Sequence, residues 1–165
     1  TDQQYNLKSK YPHKSNIVRK NMMYANSIHL IDYVNTLSRG KIKNINSKIE
    51  KKGKVANILC KINLSSGDLL TYKAIWNKEA KWSVSVFTKN FFYELKPLEQ
   101  LKVFNLKNLK VKNYYQNRLD TNYKPGFMLQ AIDFLKMIKK KPHSLVDIED
   151  NFNTTKLISK IYENF

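Results

Sequence analysis

From Asn57 to Leu95 the chain repeats one pattern: short runs of alternating side chains, each closed by a tight turn signal. Ile58, Cys60, Ile62 and Leu64 alternate with Asn57, Leu59, Lys61 and Asn63, a period of two that places one set on each face of a strand. Ser65-Ser66-Gly67-Asp68 is a hairpin turn signal. Leu70, Tyr72, Ala74 and Trp76 alternate next, Asn77-Lys78-Glu79-Ala80 turns the chain, and Trp82, Val84 and Val86 follow. Lys89-Asn90 turns it again before Phe91, Tyr93 and Leu95. Strands joined by turns this short must pair antiparallel, because parallel neighbours need a long crossover.

The flanks are read from this meander outward. Residues 1–23 are polar, contain Pro12 and lack periodicity, so they read as a loop or arm. Ile28, Ile31, Val34 and Leu37 recur at steps of three and predict a helix that starts near Ser27 and ends before Gly40. Ile42, Asn44 and Asn46 alternate weakly until Gly53 breaks the run. Further strands are expected around Gln100–Phe104 and Leu109–Tyr114. After Pro125-Gly126 a helix is predicted with Phe127, Ala131, Phe134, Leu135 and Ile138 on one face, stopped by Pro142. Ser144 or Asp147 can cap a last helix whose core face is Ile148, Phe152, Thr155, Ile158, Ile161 and Phe165. The expected fold is α+β: a mostly antiparallel sheet with helices packed on one face, in a single domain spanning 1–165.

Composition narrows the function classes. Apolar residues are 42% of the chain, which argues for a packed core rather than disorder. No apolar run reaches the ~20 residues of a membrane span, and the start lacks both a secretory core and an initiator Met, which reads as a processed or truncated chain. The single Cys60 excludes an internal disulfide, fits a reducing, cytoplasmic setting and reads as a buried structural thiol. The net charge of +17 could mark a nucleic-acid or polyanion binder, but only Arg19, Arg39 and Arg118 are arginines. Lysine spread along the whole chain beside Asn, Ile and Tyr fits a compositional bias better than a phosphate-reading face, so nucleic acid is the disfavoured partner. The run Lys136, Lys139, Lys140 and Lys141 closes a helix, where cations complement the helix dipole.

Chemistry-bearing residues are few. Gly40, Gly53, Gly67 and Gly126 are the only glycines and none has the G-x-G-x-x-G spacing of a phosphate loop. His13, His29 and His143 are isolated and offer no metal spacing. His29 alone sits in a suggestive setting, Tyr24-Ala25-Asn26-Ser27-Ile28-His29-Leu30-Ile31-Asp32. Imidazole exchanges protons near neutral pH, and Asp32, three residues on, could orient it from the same helical face. From this pattern alone a capping or core-lining histidine remains the commoner case.

This stretch resembles the D-x-G-x-H-x-x-D signature of the C-terminal half of the glucose–fructose oxidoreductase / inositol dehydrogenase (Gfo/Idh/MocA) family. His29 and Asp32 match; Ala25 stands where an acid is often found and Ser27 where glycine is common. Gly126-Phe127-x-x-Gln130-x-x-x-Phe134-x-x-x-Ile138 and Pro142-His143-Ser144-Leu145-x-x-Ile148-Glu149-Asp150 resemble the family's closing helix pair. The resemblance implies the substrate-binding half of an enzyme that uses NAD or NADP on a sugar, cyclitol or nucleotide-sugar hydroxyl or ketone. It implies His29 as the acid/base residue, with Tyr24, Asn26, Ser27 and Asp32 beside it and Tyr123, Lys124 and Gln130 at the loop-to-helix junction bordering the substrate. The cofactor would lie on an N-terminal Rossmann domain that these residues do not include, so the isolated chain should bind no dinucleotide and be inactive. The family also implies a dimer or tetramer formed through the sheet, for which Tyr72, Trp76 and Trp82 offer apolar area. A polyanion-binding module and an inert dimerisation scaffold are the alternative readings.

Overall fold

The computed structural model describes residues 2–4, 21–52, 55–76 and 82–163. The expected turn at 77–80 and the break at Gly53 lie outside them, as do Pro12, His13 and Phe165. The chain gathers into two compact units, one formed by 1–82 with 148–165 and the other by 83–147.

In the first unit a four-stranded sheet runs in the order β1 (Asp2–Gln4), β4 (Leu69–Trp76), β3 (Val55–Leu64), β2 (Ile42–Lys52). β2, β3 and β4 pair antiparallel, as their turns require. Part of the expected arm is a strand instead: β1 pairs parallel with β4, Asp2 opposite Ala74, and the chain between them supplies the long crossover that parallel pairing needs. The register stacks three rows on one face: Ile45–Ile62–Leu70, Ser47–Cys60–Tyr72 and Ile49–Ile58–Ala74. A register shift between Ile42 and Asn44 moves β2 onto this phase, so Ile45 and Ile49 face the core rather than Asn44 and Asn46. The opposite face is open and polar, with the row Lys48–Leu59–Lys73, and with Asn63 Nδ2 donating to Asn44 Oδ1 at 2.6 Å.

Helices cover the apolar face. The chain winds through a π-helical turn (Met23–Ser27) into α1 (Ile28–Ile31) and α2 (Tyr33–Leu37), and α5 (Ile148–Glu163) packs on β2, α1 and the π-turn. Met22, Met23, Leu30, Ile31, Leu157, Ile158 and Ile161 close over Ile58, Cys60, Ile62, Tyr72 and Ala74. Each large aliphatic side chain so buried contributes roughly 1.5–3 kcal/mol. Cys60 is fully buried, as expected of a structural thiol, and burial pushes its pKa up. Two expectations are corrected here. Tyr72 is only 7% exposed on the covered face, so it offers no area to a partner on the open one. The inward stripe of α5 is Thr154, Leu157, Ile158 and Ile161, whereas Ile148 and Phe152 are exposed, because Thr154 is drawn inward by polar partners described below.

A corner joins α2 to the β3–β4 hairpin. Arg39 grips Asp68 through Nη2 at 2.6 Å and Nε at 3.1 Å, and its backbone N–H donates to the same carboxylate at 3.0 Å. These bonds hold the Asp68 pKa down at about 2. Gly40 passes beneath at φ +77, and a Cβ there would lie 2.5 Å from Ser65 Oγ and 2.8 Å from the Ser66 nitrogen. Only glycine fits, so Gly40 serves the corner and not just the helix end.

The second unit is an antiparallel meander, β5 (Val84–Phe87), β6 (Phe91–Leu95), β7 (Leu101–Asn105) and β8 (Val111–Tyr114), in that spatial order. One face carries Val84, Val86, Tyr93, Leu95, Leu101 and Val103; the other carries the row Phe87–Phe92–Phe104–Val111. The Phe92 ring stacks on Phe87 at 4.4 Å and on Phe104 at 5.1 Å between centroids. A short α3 (Arg118–Asn122), which no periodicity announces, leads into α4 (Phe127–Ile138). α4 ends four residues before Pro142, through a turn with Lys140 at φ +53. α4 belongs to this unit and α5 to the other.

Candidate functional site

The helix that carries His29 begins earlier than its periodicity suggests. Met22 and Met23 are buried, so the chain is already helical there and His29 lies past the first turn. A π-turn holds one residue more than an α-turn and is frequent where a side chain must be re-aimed. Here it brings Met23 and Ser27 into the core along with Leu30 and Ile31. At 100° per residue His29 then falls on the other side of the helix, and it is exposed.

The buried side is fastened to α5 by polar bonds. Tyr24 Oη and Ser159 Oγ share a hydrogen bond at 2.8 Å, and the Tyr24 ring stacks on Tyr162 at 5.7 Å. Tyr162 Oη accepts from the Met23 backbone N–H at 3.4 Å. Thr154 Oγ1, almost wholly buried, donates to Asp32 Oδ1 at 2.7 Å and accepts from Asn35 Nδ2 at 2.6 Å. Asp32, which stands where it could orient the imidazole, has its Oδ1 engaged with Thr154, a bond that ties this helix to α5. Among the described residues the His29 imidazole has no hydrogen-bond partner. Ser27 is fully buried and Asn26 half-buried. The structure thus brings Tyr24, Asn26, Ser27, His29 and Asp32 onto one helical stretch, with Tyr24, Ser27 and Asp32 tied inward and His29 outward.

Tyr123, Lys124 and Gln130 come together in the second unit, at the start of α4. Asn117 Oδ1 caps α3 by accepting from the Asp120 N–H at 3.0 Å, and Asp120 Oδ1 accepts from the Gly126 N–H at 2.8 Å. That clamp sets the left-handed Gly126, at φ +81, from which α4 departs. Tyr123 and Gln130 are exposed, and Lys124 Nζ lies 4.4 Å over the Phe127 ring. At the far end of α4, Asp133 Oδ1 meets Lys136 Nζ at 2.6 Å and Oδ2 accepts from the Ser144 N–H at 3.1 Å. Lys136 first, then Ser144, holds the Asp133 pKa down.

Thr154, Asn35, Ser159 and Tyr162 were missed in the sequence. One signal was there: Thr154 is a polar residue on a stripe that Leu157, Ile158 and Ile161 continue at i+3, i+4 and i+7. Among the described residues no group of His, Cys, Asp and Glu could hold a metal, and no helix is long and apolar enough to cross a membrane.

This arrangement of sheets and helices is shared with about half of each of several solved dehydrogenases, in agreement with the fold expected from the residues. The chain is similar to a dehydrogenase from Chromobacterium violaceum with a TM-score of 0.74 at 16% identity, over 88% of this chain and 46% of that one. A dehydrogenase (MviM) from Clostridium difficile matches with a TM-score of 0.73 at 14% identity, over 88% and 48%. UDP-N-acetylglucosamine 3-dehydrogenase GnnA from Acidithiobacillus ferrooxidans matches with a TM-score of 0.73 at 11% identity, over 92% and 49%. The chain spans about half the length of these structures. No protein-family model and no curated protein sequence matches it.

Proposed function

We propose that this chain is the substrate-binding half of a nicotinamide-dependent dehydrogenase acting on a hydroxyl or ketone of a sugar, cyclitol or nucleotide sugar. The observation that carries the reading is the fold match to three dehydrogenases over 88–92% of this chain and only 46–49% of theirs. The remaining half would hold NAD or NADP, whose nicotinamide supplies the hydride chemistry. This chain has no glycine-rich turn to cradle a pyrophosphate, so no cofactor step is assigned to it. Its own part is to shape the substrate floor and to move the hydroxyl proton. His29 suits proton transfer: its imidazole is exposed, and it stands on a helix anchored by Tyr24, Ser27 and Asp32. Asn26 beside it, and Tyr123, Lys124 and Gln130 at the start of α4, are the polar groups offered to substrate hydroxyls. In this reading the protein works in the cytoplasm as a dimer or tetramer assembled through a sheet. The Phe87–Phe92–Phe104 row, exposed at Phe87 and half-buried at the other two rings, suits that contact better than the buried Tyr72.

The test is nicotinamide-coupled turnover of hydroxylated substrates, nucleotide sugars included, by the full gene product beside the 165-residue chain. Turnover by the former and none by the latter supports the reading. Micromolar NAD or NADP binding by the chain alone in calorimetry contradicts it.

One observation favours a second reading, a polyanion-binding surface: Lys48, Lys61 and Lys73 share the open face of the first sheet. Nanomolar, sequence-selective nucleic-acid binding that survives physiological salt would carry that reading; binding that vanishes at moderate salt would not.

A further inference from the structure

The helical stretch that carries His29 cannot hold its own place. α1 has four residues and α2 five, and neither has a side-chain cap. Helices shorter than about 12 residues are marginal in water by themselves. Asp32 is the joint between the two. Its backbone N–H closes α1 on the Ile28 carbonyl at 2.9 Å, and its own carbonyl opens α2 by accepting from the Asn35 N–H at 3.0 Å. Whatever holds Asp32 therefore fixes the end of the turn on which His29 stands.

α5 supplies the hold at two points, one on each side of His29, and all the residues concerned lie in the first unit. On the N-terminal side Tyr24 bonds Ser159 at 2.8 Å, and the Met23 N–H reaches Tyr162 Oη at 3.4 Å. On the C-terminal side the hold rests on one hydroxyl, that of Thr154. This residue is almost wholly buried on a stripe whose other members, Leu157, Ile158 and Ile161, are aliphatic. An aliphatic side chain would pack there without a buried hydroxyl to satisfy. The hydroxyl has a single proton. It goes to the Asp32 carboxylate at 2.7 Å, the shorter and charged partner, rather than to the Asp150 carbonyl at 3.2 Å. The oxygen accepts in turn from Asn35 Nδ2 at 2.6 Å. One buried atom thus fastens both sides of the joint, Asp32 at its centre and Asn35 in α2. We infer that Thr154 is the positioning residue for His29: through Asp32 it sets where the imidazole stands, while itself touching neither the imidazole nor a substrate. The inference rests on the reading given under Proposed function, in which His29 moves the hydroxyl proton. Proton transfer needs an approach of about 2.6–3.2 Å. A misplacement of about 1 Å is enough to cost roughly 10²-fold in rate.

The test is steady-state turnover of the full gene product carrying Thr154→Val, with Thr154→Ser and Gly40→Ala beside it. Valine keeps the shape of threonine and removes the hydroxyl, and serine restores the hydroxyl. Gly40→Ala strains the same unit at the Ser65 corner instead, so it controls for a general loss of stability. The expected result for Thr154→Val is a fall in kcat of at least ~10-fold with KM held within about threefold, the split that marks a misplaced reacting group rather than a lost binding contact. Thr154→Ser and Gly40→Ala should each keep kcat within about twofold of the parent. An unchanged kcat in Thr154→Val overturns the inference, as does a raised KM with kcat intact. So do equal losses in Thr154→Val and Gly40→Ala, or no recovery in Thr154→Ser. Where Thr154→Val does not fold, Thr154→Ala, which leaves room for water beside Asp32, is measured in its place with the same result expected. Failure of both to fold assigns the hydroxyl to stability alone and overturns the inference. Lost turnover in His29→Asn with parent-like turnover in Thr154→Val defeats this inference and spares the functional reading; parent-like turnover in His29→Asn defeats the reading itself.

Discussion

The two units of this chain solve the same problem differently. The first closes on itself: every fully buried apolar side chain among the described residues lies there, from Met22 to Ile161. The second, Ser83–Asp147, has none. Its sheet is largely apolar on one face and carries a phenylalanine row beside the polar row Ser85–Glu94–Lys102–Asn113 on the other, and its longest helix turns a phenylalanine stripe outward. A segment this short rarely stands on one small core, so an unfinished core implies apolar cover from elsewhere. The lesson is a division of labour. The self-sufficient unit holds His29 on a helix braced by buried polar bonds, and the open unit leaves its apolar side chains half-buried or exposed.

Substitutions separate the two halves of that comparison. Ile158→Ala empties a fully buried site in the first unit and should destabilise the chain by about 2–5 kcal/mol in urea unfolding. A loss below ~1 kcal/mol would mean that this core is looser than its burial implies. Thr154→Val leaves the Asp32 carboxylate and the Asn35 amide without their buried partner and should cost about 1–3 kcal/mol. Gly40→Ala, forced to a positive φ against Ser65, should be similar, at about 1–3 kcal/mol. In the second unit Phe134→Ser in the isolated chain should change stability by no more than ~0.5 kcal/mol, because the ring is already half in water. A loss as large as that of Ile158→Ala would erase the contrast.

The smallest effect is pH-dependent. The Asp68 pKa is about 2 in the folded chain against an ordinary 3.8. A depressed carboxylate stabilises the fold fully above its unfolded value and loses that contribution as pH falls from about 4 to about 2. Acid unfolding of Asp68→Asn should therefore lack the part of the slope in that window that the native chain shows. Identical slopes would show that the Arg39 grip does not favour the folded state. Cys60 gives a simple check on the same unit: alkylation should be negligible at about pH 8 in the native chain and complete in urea.

Strands were the most legible part of the sequence, because a period of two survives in residues such as Ile58, Cys60, Ile62 and Leu64 whatever they pack against. The β2 phase was less so: a register shift near Ile42 reverses which residues face inward, and no composition signal marks it. The start of the His29 helix was hidden because Met22-Met23 in a polar stretch resembles a loop until α5 is there to cover it. Periodicity found the apolar faces of α4 and α5 but could not say what each meets; one is buried only from Thr154 onward, and the other not at all. For the site, His29 was legible as a polar exception beside apolar positions. The role of Asp32 was not, because its partner Thr154 lies 122 residues away in the chain.

The most direct test of the proton-handling role is turnover of the full gene product carrying His29→Asn, beside His143→Asn. Asparagine keeps a polar group at an exposed position and removes the titrating one, so the fold and cofactor affinity should persist while turnover falls by roughly 10²–10⁴-fold. His143, in the exposed segment after α4, should tolerate the same change with near-normal turnover. Equal turnover in the two variants, or unfolding of the His29 variant, would contradict the assignment of the proton-handling group to His29.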